Sequence, residues 1–121
     1  MDKKYDLVNR VEEFGKKVII FAKIIPKNTI NLPLISQFIR AGTSVGANYC
    51  EADDAESRKD YIHKVGIAKK EARETTYWLK MIVVAEPNLK EKTLEIYQEA
   101  KELNLIMNAI VRKASIKTDR L

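Results

Sequence analysis

The stretch Ala41-Gly-Thr-Ser-Val-Gly-Ala-Asn-Tyr-Cys-Glu-Ala-Asp-Asp-Ala-Glu-Ser57 has helical spacing, yet its middle is built from Gly, Ser, Thr and Ala. A helix selected only for its own stability avoids most of these residues, and each glycine costs about 1 kcal/mol relative to alanine. Gly42, Val45, Gly46 and Tyr49 recur at helical steps and so share one face. Small side chains on a packing face let two backbones approach more closely than leucine would allow, and that packing must offset the propensity cost. The stretch therefore reads as the interior of a helix held by its neighbours. Replacing Gly42 and Gly46 with Leu is expected to disrupt it.

Working outward, prolines punctuate the chain. Pro26 and Pro33 bracket a short polar connector, and Pro87 stops the apolar segment before it. Four segments between these marks carry apolar or small residues at alternating steps of three and four. The first runs Leu7, Val11, Phe14, Val18, Phe21, Ile25, and the second Ile35, Phe38, Gly42, Val45, Tyr49, Ala52. The third runs Tyr61, Val65, Ala68, Ala72, Thr75, Leu79, Ile82, and the fourth Leu89, Thr93, Ile96, Ala100, Leu103, Met107, Ile110, Ala114. Such spacing is a helix seam, and strand alternation appears nowhere over a comparable length. Asn31 is expected to cap the second helix. Ser57 with Asp60, and Asn88 with Glu91, look like capping boxes for the third and fourth. Long helices joined by short connections must run antiparallel to their neighbours. The expected fold is all-α: one domain, residues 1–121, forming an up-down-up-down four-helix bundle.

Composition agrees with that fold and narrows the function classes. The chain has 121 residues, 45% hydrophobic and 32% charged, with four Gly and three Pro, which argues against disorder. A lone cysteine, Cys50, forms no internal disulfide and points to a reducing compartment. The N-terminus lacks the apolar run of a signal peptide, and Val18–Ala22 and Met81–Ala85 are too short to span a bilayer. A cytoplasmic protein without a membrane partner is expected. The net charge is +5 and unevenly spread: residues 32–57 hold one basic and four acidic groups, residues 58–85 seven basic and three acidic. A basic balance favours anionic partners.

Two apolar features exceed what one seam requires. Ile19, Ile20 and Ile24 lie beside the first seam, and the third segment ends Tyr77-Trp78-Leu79-Lys80-Met81-Ile82-Val83-Val84. Stripes of that width either thicken the core or cover an oligomer interface. Beside the small residues of the second segment runs a polar stripe, Arg40, Ser44, Asn48 and Glu51, and the third carries Glu71 and Glu74 one turn apart. Folding the two about Arg58–Lys59 sets Arg40 near Glu74 and Ser44 near Glu71. At least one such pair is expected to be a partly buried ionic or hydrogen-bonded contact that fixes register, because buried pairs add little net stability. The alternative is a set of solvated surface charges.

These residues carry a family resemblance. Phe38-Ile-Arg-Ala-Gly-Thr-Ser-Val-Gly-Ala-Asn, then Glu51-Ala-Asp-Asp-Ala-Glu-Ser-Arg-Lys-Asp-Tyr-Ile-His-Lys, then Ile67-Ala-Lys-Lys-Glu-Ala-Arg-Glu-Thr-Thr-Tyr-Trp-Leu resemble the small bacterial proteins named for intervening sequences in 23S ribosomal RNA genes. Arg40, Ser44, Ala47, Asn48, Glu51, Glu71, Glu74, Trp78 and Leu79 fall at the family's spacing. Cys50 and Thr76 depart from it, and the first and fourth segments match only in pattern. The resemblance implies an antiparallel four-helix bundle that assembles into a ring-like homopentamer, with the extra apolar surface at the subunit interface. It also implies a link to ribosomal RNA. Through the related accessory proteins of diversity-generating retroelements, it further implies nucleic-acid binding and a partner protein such as a reverse transcriptase.

Catalysis fails on inventory. His63 and Cys50 stand on different helices without an orienting partner. A di-iron bundle needs Glu-x-x-His on two helices, where this chain offers one Asp60-Tyr-Ile-His63. No phosphate-binding glycine loop occurs. Glu71 and Glu74 could pair for acid–base work, but service to Arg40 explains them better. No catalytic residue, metal or cofactor is expected. Opposite the third seam lie Lys59, His63, Lys70, Arg73, Tyr77 and Lys80, a row of cations with an aromatic among them. Such a row either follows a phosphate backbone or is a solvated face, and repetition around a ring would make its field multivalent. The basic stretch Arg112, Lys113, Lys117, Arg120 could add to it. The leading expectation is a non-enzymatic oligomeric scaffold binding structured RNA or other nucleic acid. The rival is an oligomeric protein-binding adaptor, and a carboxylate metal bundle is a distant third.

Overall fold

The computed structural model describes residues 6–120, with side chains to position 116. Four helices follow in order: α1 (Leu7–Ile24), α2 (Asn31–Asp53), α3 (Arg58–Ala85) and α4 (Lys90–Arg120). Each packs on the next in sequence, and α1 meets α4 least, closing the four-helix bundle. Every expected seam residue from Leu7 to Met107 is buried except Tyr61, which is half-buried together with Ile110 and Ala114 at the α4 end. Phe21 of α1 and Phe38 of α2 meet edge to face in this core, their centroids 5.8 Å apart.

The helix ends show what the sequence could and could not specify. α1 stops where Ile25 turns extended before Pro26, as a residue ahead of proline must. Asn31 does not cap α2. It is the first helical residue, and the Asn28 Oδ1 accepts from the backbone N–H of Ile30 and of Asn31, at 3.1 and 2.8 Å. Asn31 is buried instead, and its amide donates to the Pro26 carbonyl and to Glu86, both at 2.9 Å. The α1–α2 connector is thereby tied to the end of α3. Ser57 caps α3 by accepting from the Asp60 N–H at 3.1 Å. Asn88 caps nothing: it sits inside a 3-10 turn, Pro87–Leu89, that leads into α4.

The glycines of α2 answer the question posed by its composition. A Cβ at Gly42 would stand 2.6 Å from Val18 of α1, and one at Gly46 would stand 3.3 Å from the Val11 carbonyl oxygen. At Gly42 alanine already collides with a buried β-branched side chain that has little freedom to move. The weak helix former in mid-chain is therefore the surface on which α1 lies. On the far side of the bundle, Asn104 of α4 donates to the Lys69 carbonyl at 2.9 Å, and Lys69 donates to Asn108 at 3.3 Å, which sets the register of α3 against α4.

The extra apolar residues thicken the core only in part, through Trp78, with Met81 and Val83 half-buried beside it. Ile19, Ile20 and Ile24 are about half exposed or more, as are Tyr77 and Val84, and with them Ile30, Leu32 and Leu94. Most belong to the end of the bundle where α1 finishes and α4 starts. Among the described residues no helix is long and apolar enough to cross a membrane.

Candidate nucleic-acid interface

Arg40 leaves the exposed side of α2 and reaches across to α3, where it meets both carboxylates. Its Nη1 donates to Glu71 at 3.1 Å and its Nη2 to Glu74, which also accepts from the Trp78 indole at 3.2 Å. Glu71 is the more buried partner, at 14% side-chain exposure against 46% for the arginine. Burial lifts the Glu71 carboxyl above its usual range even with Arg40 beside it, because one half-exposed guanidinium is shared between two acids. Ser44 does not reach Glu71. The α2–α3 turn is centred on residues 54–57, earlier than Arg58–Lys59, so Arg40 itself arrives at the level of Glu71. Asn48 folds back onto the Ser44 carbonyl at 2.9 Å, and Glu51 pairs with Lys64 at 2.7 Å.

The remaining carboxylates of the basic half are engaged in the same direction. Between residues 61 and 113, Glu71 and Glu74 face Arg40, Glu86 accepts from Asn31, Glu95 from Lys17, and Glu99 and Glu102 from Arg10. Only Glu91 is left over. Apart from Asp60 and Glu91, the described acids of α3 and α4 thus turn toward cations and amides of α1 and α2, and Lys59, Lys70, Arg73 and Lys80 stand exposed on the outer side of α3. Lys59, His63, Lys70, Arg73, Tyr77 and Lys80 are all exposed, on a line about 30 Å long at 1.5 Å per residue. Among the described residues no carboxylate pairs with Lys59, Lys70, Arg73 or Lys80.

Helix α4 extends this face with residues that the seam analysis passed over. Lys90, Leu94, Tyr97 and Lys101 sit one turn apart beside the α4 seam, and Lys80, Lys90, Leu94 and Tyr97 line one groove between α3 and α4. Lys80 and Lys101 lie over the Tyr97 ring at 6.0 and 5.8 Å from its centroid. The step of three and four from Lys90 to Lys101 was visible as a second stripe, but nothing in the sequence alone set it beside α3. Arg112 and Lys113 are exposed further along α4, and the side chains of Lys117 and Arg120 lie outside the described residues.

The arrangement offers charge and aromatic surface. Cys50 and His63 are both exposed, on α2 and α3. Among the described residues no three His, Cys, Asp or Glu side chains gather as metal ligands. Burial pushes the Tyr49 phenol up to about 12, so it stays protonated.

The model of the 23S rRNA-intervening sequence protein family matches residues 3–109. A crystal structure from Bacteroides thetaiotaomicron VPI-5482, described as a protein with unknown function from the S23 ribosomal protein family, is similar at 34% identity. It superposes with a TM-score of 0.78, covering 86% of this chain and 96% of its own. No curated protein matches the chain.

Proposed function

The chain belongs to the 23S rRNA-intervening sequence protein family, and from that premise we propose that it is a non-enzymatic, homo-oligomeric scaffold binding structured RNA or other nucleic acid through the outer face of α3 and α4. One observation carries the reading. Apart from Asp60 and Glu91, the described acids of these two helices are spent on α1 and α2, while Lys59, Lys70, Arg73 and Lys80 stand on the face of Tyr77 with no ion-pair partner among the described residues. A phosphate backbone laid along that row would release counterions from each contact, and binding would weaken steeply with salt and depend little on sequence. Half-exposed Ile20, Ile24, Ile30 and Val84 suit a subunit interface, and a pentameric ring would repeat the cationic row five times. No cofactor enters this reading.

Binding of a labelled structured RNA and a matched DNA, titrated across salt, tests it. Submicromolar affinity at low salt is expected, falling several orders of magnitude by moderate salt if six or more phosphates are engaged, roughly 0.9 logarithmic units of slope per phosphate. Changing Lys70, Arg73 and Lys80 to Glu is expected to abolish binding with helicity unchanged. Binding that survives the triple change means the wrong face has been chosen. No binding of either nucleic acid favours the second reading, an oligomeric adaptor for a protein such as a reverse transcriptase, which rests on the same exposed apolar end. Light scattering showing a clean monomer at micromolar concentration would remove the ring and its multivalency.

A further inference from the structure

The groove between α3 and α4 has a chemistry that phosphate contacts alone leave unused. Its cavity is about 260 Å³, just below the roughly 300–1,000 Å³ of sites that enclose drug-sized ligands. Leu79, Val83 and Leu94 form apolar walls, the Tyr97 ring closes one side, and Lys80 and Lys90 stand on the rim without a carboxylate among the lining residues. Leu94 is 56% exposed, an apolar side chain facing solvent in a groove whose charged lining residues are Lys80 and Lys90. Lys80 and Lys101 both lie toward the Tyr97 ring at about the outer limit of a cation–π contact, worth roughly 0.5–1 kcal/mol each at an exposed site. The Tyr97 ring is the electron-rich surface that both ammonium groups approach. A phosphate would draw them off at little cost and leave the ring open.

A duplex fits only half of this. Its phosphates could meet the lysines, but its bases are stacked inward and would leave the apolar walls in water. An unpaired nucleotide fits both parts: a flat, weakly polar ring system for the groove and a flanking anion for the rim. We propose that the α3–α4 groove receives an unpaired base of single-stranded RNA, stacked at Tyr97 between Val83 and Leu94, with the adjoining phosphates held by Lys80, Lys90 and Lys101. This rests on the nucleic-acid reading above and narrows it from a charged surface to a strand with accessible bases. The pairing of cationic rim and aromatic platform is how sequence-tolerant single-strand sites are generally built.

The test separates bases from phosphates. A short labelled oligoadenylate and an abasic ribose-spacer strand of equal length carry the same charge, so a purely electrostatic face binds them alike. The groove predicts that the oligoadenylate binds about tenfold more tightly, the lower part of the range for one stacked base. Tyr97→Leu keeps an apolar side chain against the core, though a smaller one, and loses the aromatic face. It is expected to erase that tenfold difference by weakening the oligoadenylate alone, with the salt slope unchanged because the phosphate count is unchanged. Should Tyr97→Leu lose helicity, Leu94→Ser removes an exposed wall and should narrow the difference about threefold. Equal binding of the two strands, untouched by either substitution, overturns the groove while the cationic face survives. Failure of both strands and of structured RNA to bind at low salt removes the face and the groove together.

Discussion

Helix α1 has two neighbours and is held to them by opposite means. Against α2 the contact is backbone to side chain at close range, with Gly42 under Val18 and Gly46 under the Val11 carbonyl. Against α4 it is made largely by long side chains. Arg10 bonds Glu99 through both Nε and Nη2 at 2.8 Å and reaches Glu102 at 3.2 Å, while Lys17 meets Glu95 at 2.7 Å. Beyond the Lys17–Glu95 pair, toward the end of α1, the α1–α4 seam opens into a groove lined by Ile20, Phe21, Ile24 and Ile96. The first seam is fixed by excluded volume, which is steep and independent of pH. The second is fixed by charge, which is adjustable, screened by salt and titratable. A bundle closed in this way has one seam that tolerates almost no change and one that can yield.

The largest effect should come from breaking the tight seam. Gly42→Leu places a branched side chain where a single carbon already meets Val18 at 2.6 Å. Overpacking of a core costs about 1–3 kcal/mol and occasionally more, and here α1 must move as a whole. We expect about 3 kcal/mol and a fall in Tm of about 10 °C, partly restored by Val18→Ala in the same chain. A melting curve that does not move would mean that close approach is not what the glycine provides.

Arg10→Met breaks the yielding seam and should cost less, with a pH signature the first change lacks. The Arg10 hydrogen bond holds Glu99 below its ordinary value of 4.5. A carboxylate whose folded pKa is depressed contributes stability above its unfolded pKa and loses it as pH falls through the folded one. Beside Arg10 the Glu99 side chain is only 20% exposed, so removing the arginine takes the hydrogen-bond partner from a sheltered carboxylate. Removal is expected to cost about 1–2 kcal/mol at neutral pH. The gap between wild type and variant should then close as pH is lowered below 4.5. Urea unfolding at pH 7 and pH 3.5 measures it; a gap that stays constant would show that Arg10 acts through packing of its stem.

How much of this was legible follows the same division. The tight seam was readable because excluded volume leaves a periodic trace: Gly42, Val45 and Tyr49 repeat at helical steps, and no solvated face needs glycine there. The polar stripe on α2 was readable, and so was Glu74 as the partner of Arg40, but not the second contact to Glu71 or the pairing of Glu51 with Lys64. Ser44 fell away from Glu71 because the turn lies at residues 54–57, and one residue of error in a turn rotates a pairing by about 100°. The Arg10–Glu99 bridge left no trace at all, since 89 positions separate the two and each alone looks like a surface charge. The α3–α4 groove was hidden for that reason too: Lys80 and Tyr97 each lie on a legible stripe, and only the bundle sets the stripes side by side.

The smallest effect sharpens the distinction within the charged seam itself. Lys17 and Glu95 meet at 2.7 Å, shorter than either Arg10 contact, yet their side chains are 46% and 74% exposed. Short distance does not make a strong pair when water competes for both ends, and measured exposed pairs contribute about 0–1 kcal/mol. Lys17→Met retains an unbranched apolar stem in the groove it lines with Ile20 and Phe21 while deleting the charge. We expect a change within about 0.5 kcal/mol of zero, vanishing in high salt, where screening removes what little Coulomb energy remains. A loss as large as that of Arg10→Met would mean that the α1–α4 seam is held by the number of its ion pairs. The expected near-silence means it is held by the one arginine whose carboxylate is sheltered from water.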